Sequence, residues 1–389
     1  MKKISADYIF PGNTPPIKNG VVVYDNNGVI IDLLNPEFDE INWQEVEKFE
    51  GIICPGFVNT HCHLELSHLK GKVSENTQLH GFVKEIISIR DSSSDGEKQK
   101  AIRIAEQEMI ENGIVAVGDI SNGNSTFSFK EKSKLKYHTF IEVFGSDPKI
   151  ATTAFNHAEK VYNEYFDKNS ASITPHATYS VSDNLTQLIN KHAIVNNSII
   201  SLHNQETESE NAFFKNGTGE MFNFLDIANK TNNQFSPTGK NALPSFLGKY
   251  QNLNKTLLVH NTFTEKEDIE WAKNYANNIY WCFCPNANQY IENRQPNYSL
   301  FKNEKCTIGT DSLASNWSLS ILDEMKTISK KDSSISLETL IKWATFNGAE
   351  YLGFNELGAI EKGKHPGLNL ISNLNGTKLD STSSIKKII

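Results

Sequence analysis

Ile53-Cys54-Pro55-Gly56-Phe57-Val58-Asn59-Thr60-His61-Cys62-His63 is a short apolar run that ends in two histidines. A run of this length, flanked by polar residues, reads as a buried strand over Ile53–Thr60. The pattern recurs along the chain. Further runs are Ile114–Ile120, His138–Phe144, Ala171–Pro175, Ile199–His203, Thr256–His260, Ile279–Cys284 and Cys306–Thr310. Amphipathic helical stretches fall between most of them, among them Glu97–Glu111, Ala151–Phe166 and Asp183–Asn196, and Leu337–Leu352 follows the last. Strand–helix alternation predicts a parallel sheet. Eight such units predict a closed (β/α)8 TIM barrel of the α/β class. An open doubly wound sheet fits the alternation equally well. It would, however, be expected to carry a Gly-rich phosphate turn after its first strand, and none is present.

The flanks have a different period. Val21–Tyr24 and Val29-Ile30-Ile31 enclose Asp25-Asn26-Asn27-Gly28, the signature of a β-hairpin. Gly367–Ser372 and Ser384–Ile389 again mix apolar and polar residues at short range. We therefore expect the two termini to form a small β-sandwich domain (residues 1–52 and 356–389) beside a barrel of residues 53–355. A barrel needs about 250 residues, and the chain has 389. Asp91–Gly96 and Asn232–Asn241 read as loops.

A net charge of −8 argues against nucleic acid or an anionic membrane as the main partner and leaves a small molecule. No stretch of about 18 apolar residues is present to span a bilayer, and the opening residues lack the apolar run of a secretory leader. Five scattered cysteines do not form a disulfide framework. The expected location is the cytoplasm. A homodimer is the commonest soluble assembly and the default expectation.

In a barrel the active site lies at the C-terminal ends of the strands, so the polar residues closing each run matter most. The first run closes on His61 and His63, the fourth on His176, the fifth on His203, the sixth on His260 and the eighth on Asp311. His61 and His63 are two apart on an extended segment and share a face. Taken singly, a His-x-His pair is more often decoration, His203 a hydrogen-bonded core histidine and Asp311 a turn cap. Ligand types at several equivalent strand ends are a poor fit to coincidence. Imidazoles with one carboxylate suit Zn²⁺, and also Fe²⁺. Cys282-Phe-Cys284 lies inside an apolar run and reads as core.

Several segments resemble the amidohydrolase superfamily, in its deaminase and chlorohydrolase branch. Pro55–His63 resembles the first-strand motif, Leu202-His203-Asn-Gln-Glu206-Thr the fifth-strand histidine with its glutamate, and Leu258-Val-His260 the sixth-strand histidine. Ile308-Gly-Thr-Asp311-Ser-Leu-Ala-Ser-Asn316 resembles the eighth-strand aspartate motif. Thr174–Ser180 fits a substrate-side segment, and Gly358–Lys364 the lead-in to the C-terminal strands. The resemblance runs from about residue 50 to the end. In one departure, Gly367 stands where the family often has aspartate, within the small β domain. In another, the segment between His203 and His260 is longer than in the shortest deaminases, and its Ser236–Leu243 stretch is expected in a pocket wall.

The resemblance implies one divalent ion per chain, held by His61, His63, His203 and Asp311. No lysine lies between Asn169 and Asn190 to bridge a second ion. His260 and Asp311 would orient the attacking water and take its proton. Glu206 would protonate the ring and the departing amine, which favours deamination, because chloride leaves without a proton. His176, Glu65 and Arg90 would hold the rest of the substrate, with His68 beside Glu65; plain loop residues are the alternative for Glu65 and His68 and a solvated helix end for Arg90, and Ser312 and Asn316 are expected to shape the turn after Asp311. The segments Asn59–Ser67, Gly81–Arg90 and Thr310–Asn316 look most like aminodeoxyfutalosine deaminases and their adenosine, methylthioadenosine and S-adenosylhomocysteine relatives. The implied activity is hydrolytic removal of a 6-amino group from a purine nucleoside. A chlorohydrolase, a cyclic-amide hydrolase and a non-catalytic binding relative are the alternatives.

Overall fold

The computed structural model describes residues 1–223, 235–250, 254–276 and 278–389. The expected loop Asn232–Asn241 lies partly outside them; its described part, from residue 235, is irregular chain leading to the helix Ala242–Leu247.

Seven short strands precede the barrel: β1 (Lys2–Ser5), β2 (Tyr8–Ile9), β3 (Ile17–Lys18), β4 (Val21–Tyr24), β5 (Ile30–Leu34), β6 (Glu47–Lys48) and β7 (Ile52–Pro55). The barrel strands are β8 (Phe57–Cys62), β9 (Ile114–Ser121), β10 (Lys136–Val143), β11 (Ala171–Pro175), β12 (Ile200–Asn204), β13 (Thr256–His260), β14 (Ile279–Phe283) and β15 (Cys306–Ile308). Two more, β16 (Leu368–Ser372) and β17 (Ser384–Lys387), close the chain. The strands β8 to β11 pair in parallel, as do β12 to β15. Two seams join these sets into a barrel. At one, the His203 N–H donates to the His176 carbonyl at 3.0 Å; at the other, the Thr310 and Asp311 N–H groups both donate to the His61 carbonyl at 3.0 Å. The eight-stranded barrel read from the sequence is the fold observed.

Packing follows the two-residue period of a strand. Val58, Ala116, Phe140, Leu257, Val259, Tyr280 and Cys282 fill one cluster, with Cys284 alongside. Val117, Ile141, Ile173, Leu202, Leu258 and Trp281 face the surrounding helices. All five cysteines are buried and unpaired, as core residues.

The terminal strands form two sheets, in the orders β5-β4-β1-β6 and β17-β16-β7-β2-β3. The expected hairpin is β4 against β5, and its turn is held by Asp25 Oδ1, which accepts the Asn27 and Val29 N–H groups at 2.8 and 2.9 Å.

Two expected elements are each broken in two. The run Ile53–Thr60 is not one strand. Ile52–Pro55 pairs antiparallel with Leu368–Ile371 in the terminal sheet, and only Phe57–Cys62 enters the barrel. Gly56 makes the crossing: its N–H reaches the Pro366 carbonyl at 3.1 Å, and a Cβ there would meet Val115 Cγ1 at 2.3 Å. The helix expected over Leu337–Leu352 is likewise two, Leu337–Ala344 and Phe346–Leu352. The break is at Thr345 (φ −133°, ψ −83°), whose hydroxyl donates to the Ile341 carbonyl at 2.7 Å.

One ion pair lies wholly inside the barrel wall. Asp119 on β9 meets Lys130 Nζ at 2.6 Å, and both side chains are 0% exposed. Lys130 Nζ also donates to Ser121 Oγ and Thr139 Oγ1, each at 3.0 Å. The other Asp119 oxygen accepts the Leu64 N–H at 2.8 Å, immediately after His63. Removing one partner of a buried pair strands the other charge and typically costs about 3–5 kcal/mol. Lys130→Met should therefore lower unfolding stability by roughly that amount in a urea titration. A loss under about 1 kcal/mol would mean the pair does not hold the wall together.

Candidate metal centre and active-site pocket

Donor atoms of His61, His203, His260 and Asp311 all lie within 4.8 Å of one another. His63 joins them: its Nε2 is 3.2 Å from His61 Nε2 and 3.3 Å from Asp311 Oδ1. His61 Nε2 is 3.6 Å from that same oxygen. Tetrahedral ligands bonded at about 2.0–2.1 Å lie about 3.3 Å apart, so these separations match the edges of a coordination sphere.

Hydrogen bonds aim the rings. His203 Nδ1 is 2.7 Å from the His176 carbonyl, which can only accept, so the proton sits on Nδ1 and the Nε2 lone pair is free for a metal. His260 Nδ1 is 2.9 Å from Asn288 Oδ1, leaving its Nε2 toward the centre. Asp311 Oδ2 accepts the Ser315 hydroxyl at 2.6 Å, which leaves Oδ1 toward the histidines. Asn316, as expected of a turn residue, donates to the Thr310 carbonyl at 2.7 Å.

The backbone bends sharply where these side chains leave their strands. Gln205 (φ 46°), His260 (φ 74°), Asn261 (φ 56°) and Asp311 (φ 56°) are left-handed. Each such residue costs on the order of 1–3 kcal/mol, held by its surroundings. Asn261 shows how: its amide donates to the Leu258 carbonyl at 2.8 Å and the Cys282 carbonyl at 3.0 Å.

Burial sets the charge states. It pulls His61 down to about 4 and His176 to about 3, and holds His203 well below the ordinary histidine range. Neutral imidazoles are what metal ligation requires. Burial alone would raise Asp311; the hydrogen bond from His61 and the nearby His63 and His260 outweigh it and hold the carboxyl well below its usual range. Glu206 goes the other way, raised well above the carboxylate range first by burial and then by the charge of Asp311.

A cavity of about 500 Å³ opens onto this centre. Its walls include His63, His176, His203, Glu206, His260 and Asp311, with Phe82, Val83, Ile86 and Phe144 on the apolar side. The structure thus brings together the expected metal and catalytic residues. Glu206 Oε1 lies 3.6 Å from His260 Nε2. The His176 ring packs on His203 and Phe144, with its Nδ1 2.9 Å from Ser180 Oγ. Arg90 lines the mouth. Glu65 stands apart from the walls; both its oxygens accept the Asn122 N–H at 3.2 Å. His68 is structural, its ring nitrogens lying 3.0 and 3.2 Å from the Arg90 and Glu65 carbonyls. The expected Ser236–Leu243 wall is likewise outside this cavity.

Sequence reasoning passed over Glu142 on β10. Its Oε2 accepts from the Asn122 amide at 2.9 Å, while Oε1 has no hydrogen-bond partner and lies 3.5 Å from His203 Nδ1 in the cavity wall. Burial raises it to about 8. Glu142, His176 and His203 also form a second group with donor atoms within 4.8 Å. A carboxylate inside the apolar run His138–Phe144 was the signal available for it.

A (β/α)8 barrel whose strand ends converge imidazoles and a carboxylate on one point is the scaffold of a metal-dependent hydrolase. The chain belongs to the Amidohydrolase family, whose model matches residues 52–388. It is 29% identical over 370 residues to an aminodeoxyfutalosine deaminase of Nitratiruptor sp., covering 91% of this chain and 87% of that one. Its fold matches that of the Helicobacter pylori aminofutalosine deaminase in complex with methylthio-coformycin with a TM-score of 0.79, at 22% identity over 98% of this chain and 94% of that one. A zinc-bound adenosine deaminase from Xanthomonas campestris matches with a TM-score of 0.72, at 20% identity over 95% and 84%. The protein is an amidohydrolase-superfamily enzyme of the deaminase and chlorohydrolase branch, with a metal-binding active-site cluster.

The spacing of the donors leads us to expect one divalent ion per chain. Elemental analysis should give close to one equivalent, and His61→Ala combined with His63→Ala should remove it. A stoichiometry near two would instead bring Glu142 and His176 into a second site.

Proposed function

We propose that this enzyme hydrolytically deaminates a 6-aminopurine nucleoside, with aminodeoxyfutalosine or a 5′-modified adenosine as substrate and Zn²⁺ as the ion, Fe²⁺ being the alternative. The observation that carries the reading is Glu206. It is a buried carboxyl outside the proposed ligand set, facing the cavity and 3.6 Å from His260 Nε2. A residue so placed, its carboxyl raised well above the usual range first by burial and then by the charge of Asp311, can deliver a proton. Ammonia leaves well only after protonation, whereas chloride needs no such help.

His61, His63, His203 and Asp311 would hold the ion, whose chemistry is to lower the pKa of water from 15.7 to about 7. The remaining work falls to side chains. Asp311, with Oδ2 taken by the Ser315 hydroxyl and Oδ1 turned to the centre, is the carboxylate that would accept the proton of the attacking water. His260, fixed by Asn288, orients that water and stabilises negative charge as the ring carbon becomes tetrahedral. Glu206 protonates the ring nitrogen and then the departing amine. The apolar wall from Phe82 to Ile86, together with Phe144, suits a flat ring, and His176 and Arg90 are placed to meet its substituent. Support for this substrate class comes from the relatives, which act on adenosine and on aminodeoxyfutalosine by name. No helix among the described residues is long and apolar enough to cross a membrane, and the five unpaired cysteines fit our reading of a cytoplasmic enzyme.

Glu206→Gln should retain the metal and lose about 10²–10⁴-fold in turnover. Activity within a few-fold of the parent would remove Glu206 as the proton carrier. A panel of 6-aminopurine nucleosides, read by ammonia release, tests the substrate: aminodeoxyfutalosine or a 5′-modified adenosine should be turned over fastest. Guanine or a chlorinated triazine as the best substrate would overturn the assignment.

A further inference from the structure

Glu210 is wholly buried, yet it is not in the wall of the active-site cavity. It stands in the first turn of the helix Glu208–Asn216. A glutamate there ordinarily reaches back to the N-cap amide at the surface. Here it does something else. Its Oε2 accepts the N–H of Glu206 itself at 3.0 Å, and its Oε1 accepts the Thr178 hydroxyl at 2.6 Å. Thr178 belongs to the loop after β11 that carries His176 and Tyr179, whereas Glu206 belongs to the loop after β12. One carboxylate therefore ties together the two loops on either side of the first barrel seam. The far side of the Glu206 loop is also pinned. Gln205, in left-handed conformation, donates to Asn211 Oδ1 at 3.0 Å and Asp268 Oδ2 at 2.8 Å, and accepts from Thr264 at 2.7 Å.

We propose that Glu210 is a positioning residue that clamps the Glu206 loop to the Thr178 loop and thereby fixes the proton-delivering side chain at the reacting atoms. This rests on the role given to Glu206 above. Burying a carboxylate is unfavourable, and burial raises this one to about 7. The geometric return is a loop that cannot shift while Glu210 bridges it. Misplacing a catalytic group by about 1 Å can cost about 10²-fold.

The test compares 6-aminopurine riboside with 6-chloropurine riboside, because both need a proton on the ring nitrogen but only the amino group needs a second one in order to leave. In Glu210→Ala, kcat on the amino substrate should fall about 10–100-fold. On the chloro substrate, which needs Glu206 for the ring proton alone, it should fall several-fold less, with KM and metal content near parental for both. Glu210→Gln should regain most of the loss, since its amide oxygen can accept the Glu206 N–H and its NH₂ can donate to Thr178. If Glu210→Ala does not fold, Thr178→Val opens only one end of the clamp and should show the same selectivity, weaker. Equal loss on both substrates, or a Glu210→Gln as impaired as the alanine variant, would overturn the clamp. Glu206→Gln serves as the reference: if it too fails to separate the substrates, the reading of Glu206 falls and this proposal with it.

Discussion

Two carbonyl oxygens, those of His61 and His176, close the barrel, and each belongs to a residue that lines the site. The His61 carbonyl accepts from Thr310 and Asp311 at one seam, and the His176 carbonyl accepts from His203 at the other. Closure and site assembly are thus one event. Until β15 returns to β8, Asp311 and the His61–His63 pair are far apart along the chain; once those bonds form, the aspartate and the two imidazoles must be neighbours. The His176 carbonyl does double duty, because it also fixes the tautomer of His203. A change that opened either seam would damage the fold and the metal centre together.

The same centre concentrates what a stable core avoids. Imidazoles lie against imidazoles, carboxyls are buried beside one another, and three residues at the ends of β13 and β15 are left-handed. Burial drives most of these groups toward neutrality: His61, His176 and His203 downward, Glu65, Glu142, Glu206 and Glu210 upward. Only Asp311 is held charged, by the ring of histidines. That separation fits the proposed division of labour, one carboxyl to accept protons and another to give them.

The branch of the family to which the enzyme belongs includes both amine- and chloride-releasing members, and they share this barrel. In the function proposed above, amine release differs from chloride release in whether a proton reaches the leaving group, and therefore in how firmly one glutamate is held. The interest of the loop after β12 lies in this. It carries a ligand type at His203, a strained Gln205 and the proposed proton carrier Glu206 within four residues, each anchored by a different neighbour.

Much of this was legible in the sequence. Apolar runs of strand length, spaced by amphipathic helices, specify a parallel sheet covered by helices, and eight such units without a Gly-rich phosphate turn favour the closed barrel over the open sheet. Residues closing those runs had to lie at one end of the barrel, so His61, His63, His203, His260 and Asp311 could be named before any contact was known. What the sequence left undecided depended on long-range contact. Gly56 divides one apolar run between two domains, because only the fold sets Val115 against it. Glu142 sits mid-strand and Glu210 on a helix, where a carboxylate is ordinarily solvated. Asp119 and Lys130 look like surface charges until the wall closes round them. Local pattern records which way a side chain faces; what it meets there is fixed by segments far along the chain, 251 residues away for Asn59 and Thr310, and only the closed barrel brings them together.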